Sequence, residues 1–230
     1  MFQILDIGNT HSRIALWDNG KFISIKVEDT AALDCGELSS IPAAAACVSA
    51  EVRKKLEGCG VNFISALNQQ SEVDFSLVDC TTLGADRVAN AAALAEFYPL
   101  PGAVIDCGTA ITLELVDENK RFAGGAIAPG RALMRSSLAR GTSLLPESGL
   151  LEAIPDKPGC NTIDAIGFGV GCGAKGVVRE LSEAAKRHLN IKTLILTGGD
   201  AEFFRPVLPD AIVPGVEFTL QGVRLAAGVK

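Results

Sequence analysis

The chain opens on a short apolar run, Phe2–Asp6, and then alternates. Arg13–Trp17 reads Arg-Ile-Ala-Leu-Trp, and Phe22–Val27 reads Phe-Ile-Ser-Ile-Lys-Val. A continuous apolar run fits a buried strand, and strict alternation fits a half-buried one. Between the second and third segments, Asp18-Asn19-Gly20 is a hairpin signal, because Asn-Gly supplies the positive φ angles of a type I′ turn. The pattern predicts a three-stranded meander. A short helix near Thr30–Cys35, an apolar strand at Ala43–Val48, a charged helix over Glu51–Glu57 and a strand at Val61–Ile64 follow. At Gly84–Tyr98 the period changes: Val88, Ala91, Ala92 and Ala95 fall on one small-residue helical face suited to close packing. Pro99-Leu100-Pro101-Gly102 breaks the chain and marks a boundary between domains 1–101 and 102–230.

The pattern then restarts. Ala103–Ile105 is apolar and runs into Asp106-Cys107-Gly108-Thr109. Ile111–Val116 is a second strand, Asp117–Lys120 a turn and Arg121–Ile127 a third strand. ILDIGNTHSRIALWDNGKFISI and VIDCGTAITLELVDENKRFAGG share an order: strand, Asp-x-Gly, Thr, strand, polar turn, strand. A duplicated domain explains this better than coincidence. The second half continues with Pro129-Gly130, a helix through Ala139 and a loop at Gly141–Pro146. A long small-residue helix follows from about Asn161 to His188, with glycines that allow a break. Lys192–Thr197 is a strand feeding Gly198-Gly199-Asp200-Ala201, and a strand at Ala211–Val213 and a closing helix end the chain.

Composition narrows the class. Of 230 residues 48% are hydrophobic and only 5% aromatic, so the core is built from Ala, Val, Ile and Leu, which favours α/β layering. A net charge of -6 without a Lys/Arg-rich run gives no nucleic-acid footprint. No apolar run approaches the roughly 18 residues of a membrane span, and the start lacks the marks of a signal peptide. Seven scattered cysteines without a C-x-x-C pair read as reduced thiols in the cytoplasm, without a disulfide framework. His11 and His188 are too far apart in sequence for a His-based metal site. Gly171–Gly176 satisfies G-x-G-x-x-G, but no strand precedes it, so its glycines read as helix-packing positions.

The two Asp-x-Gly corners carry the candidate chemistry. Glycine lets the backbone approach a ligand, and successive N–H groups with a Thr or Asn side chain form an anion-binding concavity. Aspartate repels phosphate directly but binds it through a cation. Asp6 and Asp106 therefore fit as cation holders, with Gly8, Asn9, Thr10, Gly108 and Thr109 around phosphate. Either corner alone is also ordinary turn chemistry.

DIGNT at 6–10, GADR at 84–87, DCGTAIT at 106–112, GGAIAPG at 124–130, CNT at 160–162 and LTGGDA at 196–201 resemble the successive motifs of type III pantothenate kinases. That family lies in the acetate kinase, sugar kinase, heat-shock protein and actin superfamily. The resemblance implies two duplicated βββαβα-type domains of the ribonuclease H-like, actin-like ATPase kind, with a cleft between them, in a homodimer. It implies ATP-dependent phosphorylation of pantothenate to 4′-phosphopantothenate, the first step of coenzyme A biosynthesis. Carried over by motif, Asp6, Ile7, Gly8, Asn9, Thr10, His11, Ser12 and Arg13 form the ATP phosphate loop, and Thr109 adds an ATP contact. Gly84, Ala85, Asp86 and Arg87 meet pantothenate, with Asp86 as catalytic base. Thr162 is a further pantothenate contact. Asp106 holds the monovalent cation, K⁺ or NH₄⁺, and Asp6 holds the Mg²⁺ that accompanies ATP, directly or through water. Gly198, Gly199 and Asp200 close over the adenosine in this superfamily.

The residues leave alternatives open. Asp86 and Thr162 each stand where a helix N-cap would. Arg87 fits either the substrate carboxylate or an ion pair with a neighbouring acid. A strand followed by a Gly-Gly turn is common in any α/β fold. The chain also departs from the family: Leu77 stands where an aromatic residue usually lines the pantothenate site, VDCTTL lacks the usual Asn-Pro, and Glu114 replaces an Asp. Two other readings follow, a kinase of another small alcohol and a non-catalytic regulatory protein of the Bvg accessory factor type. Retention of Asp6, Asp86 and Asp106 argues against the second.

Overall fold

A computed structural model describes residues 1–38, 41–153 and 155–230. The meander forms as β1 (Phe2–Ile7), β2 (His11–Asp18) and β3 (Lys21–Asp29), antiparallel throughout. Asn19 and Gly20 take φ values of 47° and 83°, the left-handed pair that a type I′ turn demands. β4 (Ala43–Cys47) adds to β1 in parallel, and β5 (Val61–Phe63) to β4, giving the order β3-β2-β1-β4-β5. All of β4 is buried, as a parallel strand covered on both faces requires. Helix α1 (Ala50–Lys55) is capped by Ser49, whose side chain accepts from Val52 N. The expected helix near Thr30–Cys35 is instead two 3₁₀ turns, Thr30–Ala32 and Cys35–Leu38. The stretch is too short and too poor in periodic apolar positions to hold an α-helix.

The second half repeats the plan. β6 (Gly102–Cys107), β7 (Ala110–Val116), β8 (Phe122–Pro129) and β9 (Thr193–Thr197) form a sheet in the order β8-β7-β6-β9. That order matches the first four strands of the other sheet position for position, so the duplication read from the sequence is a duplication of topology. Four helices complete this half and the C-terminus: α3 (Arg131–Gly141), α4 (Thr162–Leu189), α5 (Ala201–Phe204) and α6 (Phe218–Ala226). α4 runs unbroken through all its glycines, and Gly171–Gly176 lies in its interior. The strand expected at Ala211–Val213 reduces to one bridge, Ile212 to Ile195.

By contact, the chain groups into two compact units. One comprises residues 1–102, 114–124 and 214–230, the other 103–113 and 125–213. In the first unit, α2 (Ala85–Phe97) and α6 pack so closely that a Cβ on Gly222 would collide with the Ala89 backbone. The alanines of α2 are buried along this contact, and Thr219 Oγ1 meets Asn90 Oδ1 at 2.9 Å inside it. Small residues are needed here because the helix backbones nearly touch. The C-terminus is tied down by Trp17 Nε1, which donates to Lys230 O at 3.0 Å, and by Arg224 over the Trp17 ring.

Cys35 and Cys59 are brought side by side, with Cα atoms 5.9 Å apart, a separation that a disulfide can span. A separation of 24 residues gives no sequence signal; the approach is made by the 3₁₀ turn at Cys35–Leu38 and the turn after α1. No helix among the described residues is long and apolar enough to cross a membrane.

Candidate active site

In the first unit the residues gather around the ends of β1 and α2. Strand register places Arg13 opposite Asp6, and Arg13 Nη1 donates to Asp6 Oδ2 at 2.9 Å. Burial raises the Asp6 pKa above its ordinary value, and the Arg13 charge and hydrogen bond pull it back. Gly8 N donates to His11 O across the tip, and Asn9, Thr10 and His11 are exposed there. Ile7 is buried in the core. The Ser12 hydroxyl is also buried, 2.8 Å from Thr30 Oγ1, which in turn donates to Gly8 O. Only the main chain of Ile7 and Ser12 is placed to line the tip, and Thr30 braces it from behind.

Gly84, not Asp86, is the N-cap of α2. Asp86 lies in the first turn, and its Oδ1 accepts from Arg87 N at 2.8 Å. Burial is the largest cause raising the Asp86 pKa, the Asp6 carboxylate adds to it, and the Arg87 main-chain bond and charge oppose it. A carboxyl made more basic at a helix N-terminus, where the dipole favours the anion, needs such burial. Arg87 Nε donates to Glu114 Oε1 at 3.0 Å, and its guanidinium lies 5.6 Å from the Phe122 ring centroid. The neighbouring-acid reading of Arg87 is therefore realised. Leu77 is exposed, in the turns before α2.

The second unit brings three distant motifs together. Gly198 has φ +92°, and a Cβ on it would collide with Asp106 Oδ1 and the Cys107 backbone. Asp200 N donates to Cys107 O at 2.8 Å, and Gly130 N to Thr109 O at 3.0 Å. Asp200 also receives a forked bond from Arg131, Nε to Oδ2 at 2.9 Å and Nη2 to Oδ1 at 2.5 Å. The Arg131 guanidinium stacks 3.5 Å from the Phe203 ring centroid. Residues 106–109, 130–131 and 198–200 thus form one assembly. Gly199 is exposed beside it. Thr162 is the exposed first residue of α4, whose N-cap is Asn161, accepting from Asp164 N at 3.0 Å.

Sequence reasoning did not single out Arg131, and it noted Glu114 only as a departure. Both carried a signal: Glu114 is the one acid inside the apolar strand Ile-Thr-Leu-Glu-Leu-Val, and Arg131 directly follows the Pro-Gly that starts a helix. Among the described residues no group of three or more His, Cys, Asp or Glu could hold a metal. A single carboxylate suits a hard cation that takes most of its shell from water and phosphate, and one oxygen of Asp6 is already engaged by Arg13.

Comparison with known proteins gives the same picture. The model of the type III pantothenate kinase family matches residues 3–184. A type III pantothenate kinase of Akkermansia muciniphila is 35% identical over 64% of this chain and 61% of its own, and one of Gloeobacter violaceus is 40% identical over 64% of each. In both the chain spans less than two thirds of the relative's length. A Thermosipho africanus enzyme of the same name is 29% identical over 97% and 96%. Among solved structures, a Campylobacter jejuni protein described in terms of the Baf transcriptional activators aligns with TM-score 0.65 and 20% identity over 98% and 97%. An activator of 2-hydroxyisocaproyl-CoA dehydratase from Clostridium difficile, solved with ADPNP, aligns with TM-score 0.53 and 14% identity over 98% and 92%. These two show the fold, an actin-like ATPase fold. On the match that covers most of its length, the chain belongs to the type III pantothenate kinase family.

Proposed function

We propose that this chain transfers the γ-phosphoryl group of ATP to the hydroxyl of pantothenate, giving 4′-phosphopantothenate in the first step of coenzyme A biosynthesis. The observation that carries this reading is Asp86: a carboxylate at a helix start, made more basic by burial and by Asp6, with Arg87 bonded to it through the main chain. Phosphoryl transfer depends on positioning and charge stabilisation, with a carboxylate that orients the attacking hydroxyl and takes its proton. An unperturbed Asp is too weak a base for an alcohol. A raised pKa brings Asp86 nearer the operating pH, and it takes the proton late, as the oxygen bonds to phosphorus.

The tip at Gly8–Thr10 and the Thr109 corner supply N–H and hydroxyl donors to the phosphates. Asp6 would hold the Mg²⁺ that accompanies ATP, and Asp106 would hold a monovalent cation, K⁺ or NH₄⁺; these cations would neutralise charge on the phosphates. The family resemblance assigns Leu77, Gly84, Ala85 and Thr162 to the acceptor, and Gly198, Gly199 and Asp200 to the adenosine. Family membership supports a cytoplasmic homodimer, and the repeated strand order supports two duplicated domains. The test is ADP release by the purified protein with ATP, Mg²⁺, K⁺ and pantothenate. Turnover is expected. Its absence with pantothenate but presence with another alcohol would overturn the substrate, and its absence with every acceptor would favour a regulatory role.

A further inference from the structure

A charged side chain buried in a strand is costly unless it is paired. Glu114 is such a group: its side chain is fully buried, it lies between buried Leu113 and Leu115, and it meets an Arg87 side chain that is only 13% exposed. Two well-packed apolar residues would stabilise this spot at least as well. The pair does something an apolar pair cannot. A guanidinium is a planar fork of donors, so a bond taken at Nε fixes the plane in which the others lie. The Phe122 ring stands 5.6 Å from the same group. Arg87 directly follows the proposed base, and its main-chain N–H donates to Asp86 Oδ1; Glu114 and Phe122 set where its guanidinium lies.

We propose that Glu114 is a positioning residue, fixing the Arg87 guanidinium as the receptor for the carboxylate of the acceptor. The inference rests on the proposed kinase activity and deepens it. Pantothenate carries its reacting hydroxyl at one end and a carboxylate at the other. A fixed cation near the base would recognise the far end while the base acts on the near one, and Glu114 would select for acidic acceptors without touching them.

The experiment compares pantothenate with pantothenyl alcohol, in which a hydroxymethyl group replaces the carboxylate. Glu114→Gln keeps the size of the side chain and an oxygen acceptor but loses the charge. It is expected to raise KM for pantothenate about tenfold or more, since a charge-assisted bond is lost, with kcat within about twofold. The KM of pantothenyl alcohol, or its inhibition constant if it is not turned over, should stay within about twofold of the unaltered protein. In an Arg87→Lys background Glu114→Gln should add nothing further. Should Glu114→Gln fail to fold by circular dichroism, Glu114→Asp takes its place, with a smaller rise of the same selectivity. An unchanged KM ratio, or equal loss for both acceptors, overturns the inference while the kinase reading stands. No turnover of pantothenate by the unaltered protein removes both.

Discussion

The two Asp-x-Gly corners share strand order and position but differ in how their charge is balanced. Asp6 faces an arginine on the next strand of its own meander. Asp106 has none in its hairpin, where β7 reads Ala-Ile-Thr-Leu-Glu-Leu-Val. It lies instead against the Gly198 turn, which the Arg131–Asp200 pair holds in place. The first unit also carries a basic carboxyl, Asp86, on the helix beside its corner. Duplication therefore kept the scaffold and changed the charges placed on it: a buried carboxyl on a helix in one unit, a glycine-lined corner braced by an Arg–Asp pair in the other.

The largest effect should come from the group found on one side only. Asp86→Asn is expected to cut turnover by about a thousandfold, as loss of a general base does, while ATP binding by calorimetry persists. The same variant should melt higher. A carboxyl whose pKa is raised on folding gives its full stability below its unfolded pKa and loses it as pH rises through the folded one. At neutral pH ionised Asp86 therefore works against the fold, and the Tm gain of the variant should vanish in acid. The activity of the unaltered protein should fall on acidification at a pH above the usual aspartate range, with Asp86 and the nearby Asp6 and Arg87 setting the limb.

The second unit should respond through stability. Asp200→Ala leaves the Arg131 guanidinium, 9% exposed, without its carboxylate, and should cost about 3 kcal/mol by denaturant unfolding. A loss no larger than that of a surface pair would show that the turn is held otherwise. Exchange of K⁺ for Na⁺ should depress turnover of the unaltered protein severalfold but leave Asp106→Asn indifferent; a variant that kept the response would remove the cation from that corner. The smallest effect should be Arg13→Gln, which breaks a cross-strand pair worth about 0.2–1 kcal/mol. Because Arg13 lowers the Asp6 pKa, that loss should be measurable in Tm at pH 7 and shrink as Asp6 is protonated.

Much of the fold was legible because its signals are local. Period-2 alternation and Asn19-Gly20 specify the meander, the alanines of 84–98 specify a close-packed helix, and the repeated Asp-x-Gly announces the duplication. Where local signals compete or run short, the sequence was a poorer guide. Thr30–Cys35 had too few residues to nucleate a helix, and Ala211–Val213 kept a single bridge because a short apolar run specifies neither a partner nor a register. The glycines of α4 did not break it, since tertiary packing can outweigh propensity.

The sequence by itself determined the strand and helix order, the corner residues and the family, because these depend on neighbours along the chain. Only the tertiary structure decided which groups meet: Arg13 with Asp6, Glu114 with Arg87, Arg131 with Asp200, and Gly198 against Asp106. Those pairings join residues up to 92 positions apart, and nothing in the spacing of two charges along a chain says how far apart folding will leave them. Nor does it say how much water they keep, and it is loss of that water that raises the pKa of Asp86.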